Sequence, residues 1–359
     1  MKVAVREDVA SALPLMENVL RDGRALAADY PLVFGGARSG GVVTATDAGE
    51  VLSTCAFLER TILFQNGTAK IGLIGSVSTA EAARGRGLAS SVLECAENEL
   101  RESGCLFSFL WADSPEFYAK RGYLPLGSER DYELPTSLAG RLPVYEDVRE
   151  ATAGDFAGMH SLYSKHRQRA DRTPLESAAL FPTPGMRVFV ARAASKVEAY
   201  ICFGRGDDLP GVVHEWAGET QAVLGCLRHL LEAEGRANAA ATVFLMSPSE
   251  ALPVTEQLDA LGACSATGVL GMGKLLNLAA VAAEIAMASD VGITWRTTDS
   301  GACVMTNGAC EIELSAREMS RMLLPAAGER EQIARVEEHL GARLNGLPWA
   351  PFLWGLDSI

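Results

Sequence analysis

The residues Arg84-Gly85-Arg86-Gly87-Leu88-Ala89 have the composition of an anion-binding loop. Gly85 and Gly87 permit tight turns and close approach of the backbone to a ligand, because neither has a Cβ atom. If a helix begins directly after the glycines, its first turn presents unpaired N–H groups and the positive end of the helix dipole. Such an arrangement binds a phosphate or a pyrophosphate.

The flanking sequence supplies the two elements that such a loop requires. An apolar run from Ile71 to Val77 predicts a strand that enters the loop. After the loop, apolar residues recur at the spacing of one buried helix face, at Leu88, Val92, Ala96 and Leu100. The order strand, loop, helix therefore predicts a phosphate-binding site. Arg84 and Arg86 either face the anion or stay solvated, since backbone amides can bind a phosphate in both cases.

A second motif lies downstream of the loop. The apolar run from Cys105 to Ala112 is followed by the sequence PEFYAKRGY at residues 115–123. Together the two motifs resemble the GNAT superfamily of N-acetyltransferases, whose signature is Arg/Gln-x-x-Gly-x-Gly/Ala with a downstream Phe-Tyr-x-x-x-Gly-Tyr/Phe. A dinucleotide-binding fingerprint fits less well, because it requires a third glycine and an acidic residue after the next strand.

The resemblance implies that acetyl-CoA is the co-substrate. It places the pantetheine arm along the backbone of residues 77–79, which would also offer an N–H to the thioester oxygen. It places the pyrophosphate on the glycine loop and on the end of the neighbouring strand. The implied cofactor-binding residues are Val77, Ser78, Thr79, Arg84, Gly85, Arg86, Gly87, Leu88, Ala89, Ser90, Asp113 and Ser114.

Tyr118 matches the family's general acid, the first tyrosine of Tyr-x-x-x-Gly-Tyr. A phenol can protonate the departing CoA thiolate, because the two groups have similar basicity. The alternative is that Tyr118 only packs against its neighbours, as we expect Tyr123 to do.

The order of the first unit is repeated further along the chain. Strand candidates at residues 188–191, 197–203 and 212–216 are followed by a helix pattern whose apolar face begins at Val223. Between Trp216 and Val223 there is no Arg-x-x-Gly-x-Ala sequence. The pattern therefore predicts a second GNAT unit that has lost its phosphate-binding site.

The last segment has another character. Asn307-Gly308 is a hairpin signal, and Ser315 with Glu318 forms a capping box that predicts the start of a helix. Residues 348–359, which we call the terminal segment, contain two Trp and a Phe. Since chain ends are usually polar and frayed, this apolar composition predicts a segment buried in a groove.

The whole layout resembles the enhanced-intracellular-survival (Eis-type) acetyltransferases. The resemblance implies an α/β (α+β) fold with a catalytic GNAT domain at 1–140 and a degenerate GNAT domain at 141–286. A small α/β, sterol-carrier-like segment is implied at 287–359, although it is too short for a full sterol-carrier fold. The family resemblance also implies a homo-oligomer and an amine acceptor.

The same family uses its C-terminal carboxylate as the general base of the first domain. The corresponding group is the main-chain carboxylate of Ile359. Asp357 or an acidic residue elsewhere is the alternative base.

Composition excludes several other classes of protein. At 359 residues, 48% hydrophobic and 21% charged, the chain is globular and long enough for two or three domains. Its net charge of −13 argues against a nucleic-acid partner, which requires a clustered positive face. Lack of a signal-peptide core or a membrane-length apolar run predicts a cytoplasmic protein without a membrane partner. The cysteine and histidine spacings predict no metal site.

The sequence thus predicts an acetyl-CoA-dependent N-acetyltransferase. The acetyl group would pass to the primary amine of a small molecule or of a lysine by direct attack in a ternary complex. Two alternatives stay open at this point. One is a non-catalytic acyl-CoA-binding sensor or scaffold, and the other is a tandem-GNAT transferase that uses aminoacyl-tRNA, a class that generally lacks the phosphate loop.

Overall fold

The computed structural model describes residues 2–6, 9–35, 39–65, 67–288 and 292–359. The strands, in chain order, are β1 (Lys2–Arg6), β2 (Gly40–Asp47), β3 (Glu50–Phe64), β4 (Gly67–Thr79), β5 (Phe107–Leu110), β6 (Leu124–Leu126), β7 (Glu129–Pro135), β8 (Val148–Glu150), β9 (Arg169–Ala170), β10 (Arg187–Ala193), β11 (Lys196–Phe203), β12 (Val212–Gly218), β13 (Thr242–Pro248), β14 (Cys264–Gly268), β15 (Gly271–Leu275), β16 (Thr294–Thr297), β17 (Cys303–Thr306) and β18 (Glu311–Leu314).

The helices pack on the sheets or on one another. In chain order they are α1 (Leu13–Arg21), α2 (Pro31–Phe34), α3 (Leu88–Glu102), α4 (Pro115–Ala119), α5 (Phe156–Tyr163), α6 (Pro174–Leu180), α7 (Thr220–Ala237), α8 (Pro253–Ala260), α9 (Leu278–Ala288), α10 (Ala316–Leu323) and α11 (Glu331–Leu340).

The first sheet has the order β1-β2-β3-β4-β5-β15-β6, with β9 paired to β3. Strands β1 to β4 are antiparallel, and β5 is parallel to β4. Helix α3 connects β4 to β5, as a parallel pair requires, and it buries Leu88, Val92, Ala96 and Leu100 on the sheet. These are the apolar positions from which the sequence predicts the helix.

The second sheet repeats this order. Read as β8-β10-β11-β12-β13-β7-β14, it has an antiparallel meander followed by the parallel pair β12 and β13, which α7 connects. The two sheets exchange one strand. Strand β7 follows the first unit in sequence but pairs with β13 and β14, and β15 follows the second unit but pairs with β5 and β6.

The strand exchange has a consequence for the domain boundaries. The limits at 140/141 and 286/287 stay a prediction, but each of the first two sheets contains a strand from the other side of such a limit. Neither sheet is complete without the other unit's segment. The first unit is therefore defined by the first sheet, and the second unit by the second sheet.

The last segment forms a three-stranded antiparallel sheet with α10 and α11. Ser315 and Glu318 make the capping box that the sequence predicts at the start of α10. Gly341, in the left-handed region at φ 57°, ends α11. Asn66-Gly67 is a second two-residue hairpin signal in the sequence, and its Asn66 lies outside the described residues.

Gly273 provides a test of the strand exchange. It lies in β15 between β5 and β6, and a Cβ added there would lie 2.8 Å from Leu126 Cδ1 and 3.0 Å from Phe109 Cε1. We expect Gly273→Val to lower the free energy of unfolding by about 1–3 kcal/mol through overpacking. Gly268→Val in the edge strand β14 is the matched control, since no atom lies within 4 Å of its added Cβ. Equal melting temperatures for the two variants would contradict the position of β15.

Candidate active site

Strands β4 and β5 separate after a short parallel contact. They pair only from Ile71 with Phe107 to Leu73 with Phe109. Beyond Leu73, the edge of β4 that faces away from β3 has no strand partner among the described residues. Its backbone polar groups are therefore available to a ligand that enters the gap.

A β-bulge lies in the unpaired part of β4. Ser76 and Val77 together face the single residue Cys55 of β3, and Ser76 has a positive φ of 49°. The Thr54 hydroxyl donates to the Ser76 carbonyl at 3.3 Å. The bulge turns the last residues of β4, including the predicted pantetheine contacts 77–79, relative to the rest of the strand.

The next residues form an open loop before α3. Gly85 and Gly87 have φ values of 76° and 78°, which side chains rarely adopt, and no atom lies within 4 Å of a Cβ added at either one. Gly87 is the N-cap of α3 and supplies no side-chain cap. Within the described residues, no hydrogen bond is made by the backbone N–H groups of residues 85–90. The loop thus has both the free donors and the space that a pyrophosphate requires.

The charged side chains of this loop are solvated. Arg84 and Arg86 are exposed, and Arg86 lies 3.9 Å from Asp47 in a weak surface ion pair. Asp113 and Ser114 are also exposed, on the segment that joins β5 to α4, where Ser114 is the N-cap residue. These four residues lie near the open ends of β4 and β5, and their contact with a cofactor stays a prediction.

Arg121 connects the two sequence motifs. Its Nε donates to Ser90 Oγ at 3.2 Å, and a second, shorter bond from Nη2 reaches the same hydroxyl. The guanidinium also lies 3.6 Å from the centre of the Phe117 ring. A cation therefore lies at the first turn of α3, where a bound phosphate would need one. Arg121 is a candidate site residue that was not predicted from the sequence.

Tyr118 lies on α4, on the side of the first sheet that α3 covers. Its ring packs against Phe117 at 4.9 Å and Tyr123 at 5.8 Å between ring centres. Burial raises the pKa of the Tyr118 phenol to about 12, the Cys55 thiol adds to the rise, and Arg121 opposes it. Tyr123 is fully buried, and its hydroxyl shares a 2.9 Å hydrogen bond with Ser108.

Ile359 lies on the opposite side of the same sheet. A Cβ added to Gly75 would lie 2.7 Å from the main-chain oxygen of Ile359 and 2.8 Å from its carbonyl carbon. Gly75 pairs with Ala56, and both Ala56 and Ile359 belong to the core on the α1 side. Tyr118 belongs to the core on the α3 side. The gap between β4 and β5 is thus bordered by Tyr118 on one face and by Ile359 on the other.

At the corresponding helix start of the second sheet, the backbone amides already have a partner. The Glu219 carboxylate caps α7 and accepts hydrogen bonds from the N–H groups of Gln221 and Ala222 at 2.8 and 3.1 Å. It occupies the position that a pyrophosphate would need. Across the gap between β12 and β13, Trp216 Nε1 donates to the Met246 carbonyl at 3.0 Å.

A cavity of about 430 Å³ lies at this end of β12, with Gly218 and Glu219 in its lining. Its lining includes Lys165, His166, Lys196 and Glu198, and both lysines are exposed. The cavity lies away from the free amides of the first unit. We place the candidate site at the β4 and β5 gap because the free donors converge there, even though that gap is an open groove rather than an enclosed cavity.

Neither a metal centre nor a membrane-spanning helix is found among the described residues. Across the described residues, no three His, Cys, Asp or Glu side chains are grouped where they could hold a metal ion. No helix in the same part of the chain has both the length and the apolar character to cross a membrane.

An unpaired strand edge beside a loop of free amides at a helix start fits the GNAT acetyltransferase class that the sequence motifs resemble. The sequence supports this class independently, since residues 7–126 match the family described as "Acetyltransferase (GNAT) domain". The protein is therefore an acetyltransferase that contains a GNAT domain. A search among curated proteins found no match.

Solved structures show the same fold over most or all of the chain. A protein from Enterococcus faecalis described as a probable N-acyltransferase shares 12% identity at a TM-score of 0.70, with 98% of each chain covered. A GCN5-related N-acetyltransferase from Anabaena variabilis shares 16% identity at a TM-score of 0.67, with 100% of both chains covered. Eis1 from Mycobacterium abscessus shares 13% identity at a TM-score of 0.57, over 88% of this chain and 85% of that one.

Arg121→Ala tests the assignment of the cation at the start of α3. We expect the Kd for CoA to rise roughly ten- to a hundredfold, because a hydrogen bond from a charged group contributes about 1.5–3 kcal/mol. Titration calorimetry measures the change. Arg101→Ala, near the other end of α3, is the control and should leave the Kd unaltered. An unchanged Kd for the Arg121 variant would show that Arg121 has no part in the phosphate site.

Proposed function

We propose that the protein transfers an acetyl group from acetyl-CoA to a primary amine by direct attack in a ternary complex, and that the first sheet contains the working site. The observation that supports this most directly is the arrangement around the β4 and β5 gap. Free backbone amides, a protonated phenol and the main chain of Ile359 all border one groove.

The residues of the first unit fit acetyl-CoA. When bound, acetyl-CoA supplies the acetyl group as a reactive thioester. The N–H groups of residues 85–90 would hold its pyrophosphate, with Arg121 adding positive charge. The unpaired backbone of residues 77–79 would hold the pantetheine arm and offer an N–H to the thioester oxygen.

Tyr118 is proposed as the general acid. With a pKa of about 12, its phenol keeps its proton throughout the neutral and mildly basic range. The group is therefore in the correct state to give that proton to the CoA thiolate as it leaves. No hydrogen-bond partner of the hydroxyl is present among the described residues.

The main-chain carboxylate of Ile359 is proposed as the general base. It lies on Gly75, at the face of the gap opposite to Tyr118, where an amine could enter between the two groups. Asp357 is a poor alternative, because it is fully buried and already accepts hydrogen bonds from Arg172, Arg60 and Tyr163.

The amides at the start of α7 in the second unit already have a partner, which supports a single cofactor site per chain. Glu219 occupies the place of the anion and Trp216 bridges the strand gap, so neither feature of the first site is repeated. The acceptor is proposed to be a small-molecule or lysine amine. A cytoplasmic location and a homo-oligomeric assembly stay predictions.

A panel of amines tests the reaction class, and the variant Tyr118→Phe tests the general acid. Polyamines, aminoglycosides and lysine peptides are assayed with acetyl-CoA, and we expect N-acetylated product from at least one of them. In single-turnover experiments Tyr118→Phe should slow acetyl transfer roughly 10²-fold, because it removes the proton donor. The wild-type rate should show no loss from Tyr118 ionisation up to about pH 10. CoA binding without product from any amine would instead favour the sensor, and full activity of Tyr118→Phe would exclude the phenol as the acid.

Gly75→Ala tests the base. The added methyl group would overlap the main chain of Ile359 at 2.7 Å, and the φ of Gly75 does not require glycine. We expect the acetyl-transfer rate to fall roughly 10²-fold with less than a twofold change in the Kd for acetyl-CoA. Gly67→Ala is the matched control on the same strand, since its Cβ would make only ordinary contact with Phe64 at 3.5 Å. Normal turnover of Gly75→Ala, or of a chain that lacks Ile359, would exclude the carboxylate as the base.

A further inference from the structure

The last residues of the terminal segment, 351–359, belong to no strand and to no α-helix. Residues 351–357 are buried, and only a short 3₁₀ turn, Gly355–Asp357, gives them local structure. Buried backbone carbonyls and a buried carboxylate must then be satisfied by other parts of the chain. The residues that satisfy them determine where Ile359 lies.

Asp357 has a complete set of buried partners. One carboxylate oxygen accepts from Arg172 Nε at 2.6 Å and from Arg60 Nη2 at 3.3 Å, and the other accepts from the Tyr163 hydroxyl at 2.7 Å. Burial by itself raises the pKa of a carboxyl, but Arg172 and Arg60 outweigh it and hold the pKa of Asp357 below its usual value. Asp357 is therefore an ionised acceptor with both oxygens in use.

The hydrogen bonds of Asp357 connect it to both sheets, directly to the first and through Arg172 to the second. Arg60 is in β3 of the first sheet. Arg172 also binds Glu215 of β12 through its Nη2 at 2.6 Å, and Glu215 accepts from Tyr200 of β11 at 2.8 Å. The position of Asp357 is thus fixed with respect to both sheets at once.

Arg205 holds the residue that precedes Ile359. It is buried, and its guanidinium donates to the carbonyl oxygens of Ser358, Gly355 and Asp29 and to the Ser358 hydroxyl. No carboxylate of the described residues lies within ion-pair distance of Arg205. The Arg205 guanidinium therefore binds the backbone carbonyl oxygens of the terminal segment.

We propose that Asp357 and Arg205 are positioning residues, which place the main-chain carboxylate of Ile359 at the β4 and β5 gap. Asp357 and Ile359 are two residues apart, and two residues of extended chain span at most about 7 Å. A displacement of Asp357 would therefore displace Ile359 by a similar distance. The second sheet, which has no open phosphate site, then contributes to catalysis through Glu215 of β12, which binds Arg172, and through Arg205, which follows the end of β11. This inference rests on the proposed role of Ile359.

A double-mutant cycle tests the inference. Asp357→Asn is made in the full chain and in a chain that lacks Ile359, and single-turnover acetyl transfer is measured for all four proteins. In the full chain we expect a rate at least tenfold lower, with the Kd for acetyl-CoA within twofold. In the chain without Ile359 the same substitution should cost nothing further, because the group that it positions is already gone.

The outcomes separate the inference from the proposed function. If removal of Ile359 leaves the rate unchanged, the proposed base is wrong. If removal lowers the rate but Asp357→Asn costs the same factor in both backgrounds, Asp357 acts on stability only and the positioning role is wrong. Near-UV circular dichroism verifies that each variant is folded at the assay temperature.

Two further variants complete the design. Arg205→Lys keeps the buried cation but loses the forked contacts to Ser358. It should lower the acetyl-transfer rate in the full chain and cause no further loss in the chain without Ile359, and it replaces Asp357→Asn if that variant does not fold. Asp155→Asn is the matched control, since Asp155 is also a buried carboxylate held by an arginine, Arg149 at 2.9 Å, but it lies outside the terminal segment. It should lower the melting temperature without changing the rate in either background. A full rate for Arg205→Lys would overturn the role of Arg205.

Discussion

The arrangement of this chain depends on the buried ion pairs that the Asp357 carboxylate makes with Arg172 and Arg60. The carboxylate joins Arg60 on a strand of the first sheet, Arg172 with its second-sheet partner Glu215, and the end of the chain in one buried cluster. Removing one partner of a buried ion pair leaves an uncompensated charge and costs about 3–5 kcal/mol, a large part of the stability of an ordinary domain. The cluster is therefore expected to admit only one position of the terminal segment.

The two sheets have the same strand order but different roles. In the first, the glycine loop leaves the amides of α3 free, and in the second, the Glu219 carboxylate satisfies the amides of α7. Of these two corresponding helix starts, α3 thus has free amides and α7 has amides that are already satisfied. The exchange of β7 and β15 joins the two sheets, so that neither can be removed without exposing strand edges of the other.

Much of the candidate site could be predicted from local sequence. The strand into residues 71–77, the glycine turn and the apolar face of α3 follow from periodicity and from the conformational freedom of Gly85 and Gly87. The strand exchange could not be predicted, because β7 and β15 are short and nothing in a short strand's own sequence specifies its partner. Arg121 was missed for a related reason: its contact with Ser90 depends on how α4 packs against α3.

The sequence by itself determined the acetyltransferase class, the open loop at residues 84–90 and the candidate acid Tyr118, since these depend on residues close together in the chain. Only the tertiary structure decided that Ile359 lies on Gly75, because that contact is made between residues far apart in sequence. The same holds for Asp357 and Arg205, whose types suggest surface charges. Their burial and their partners follow from the packing of both sheets around the terminal segment, which no local pattern records.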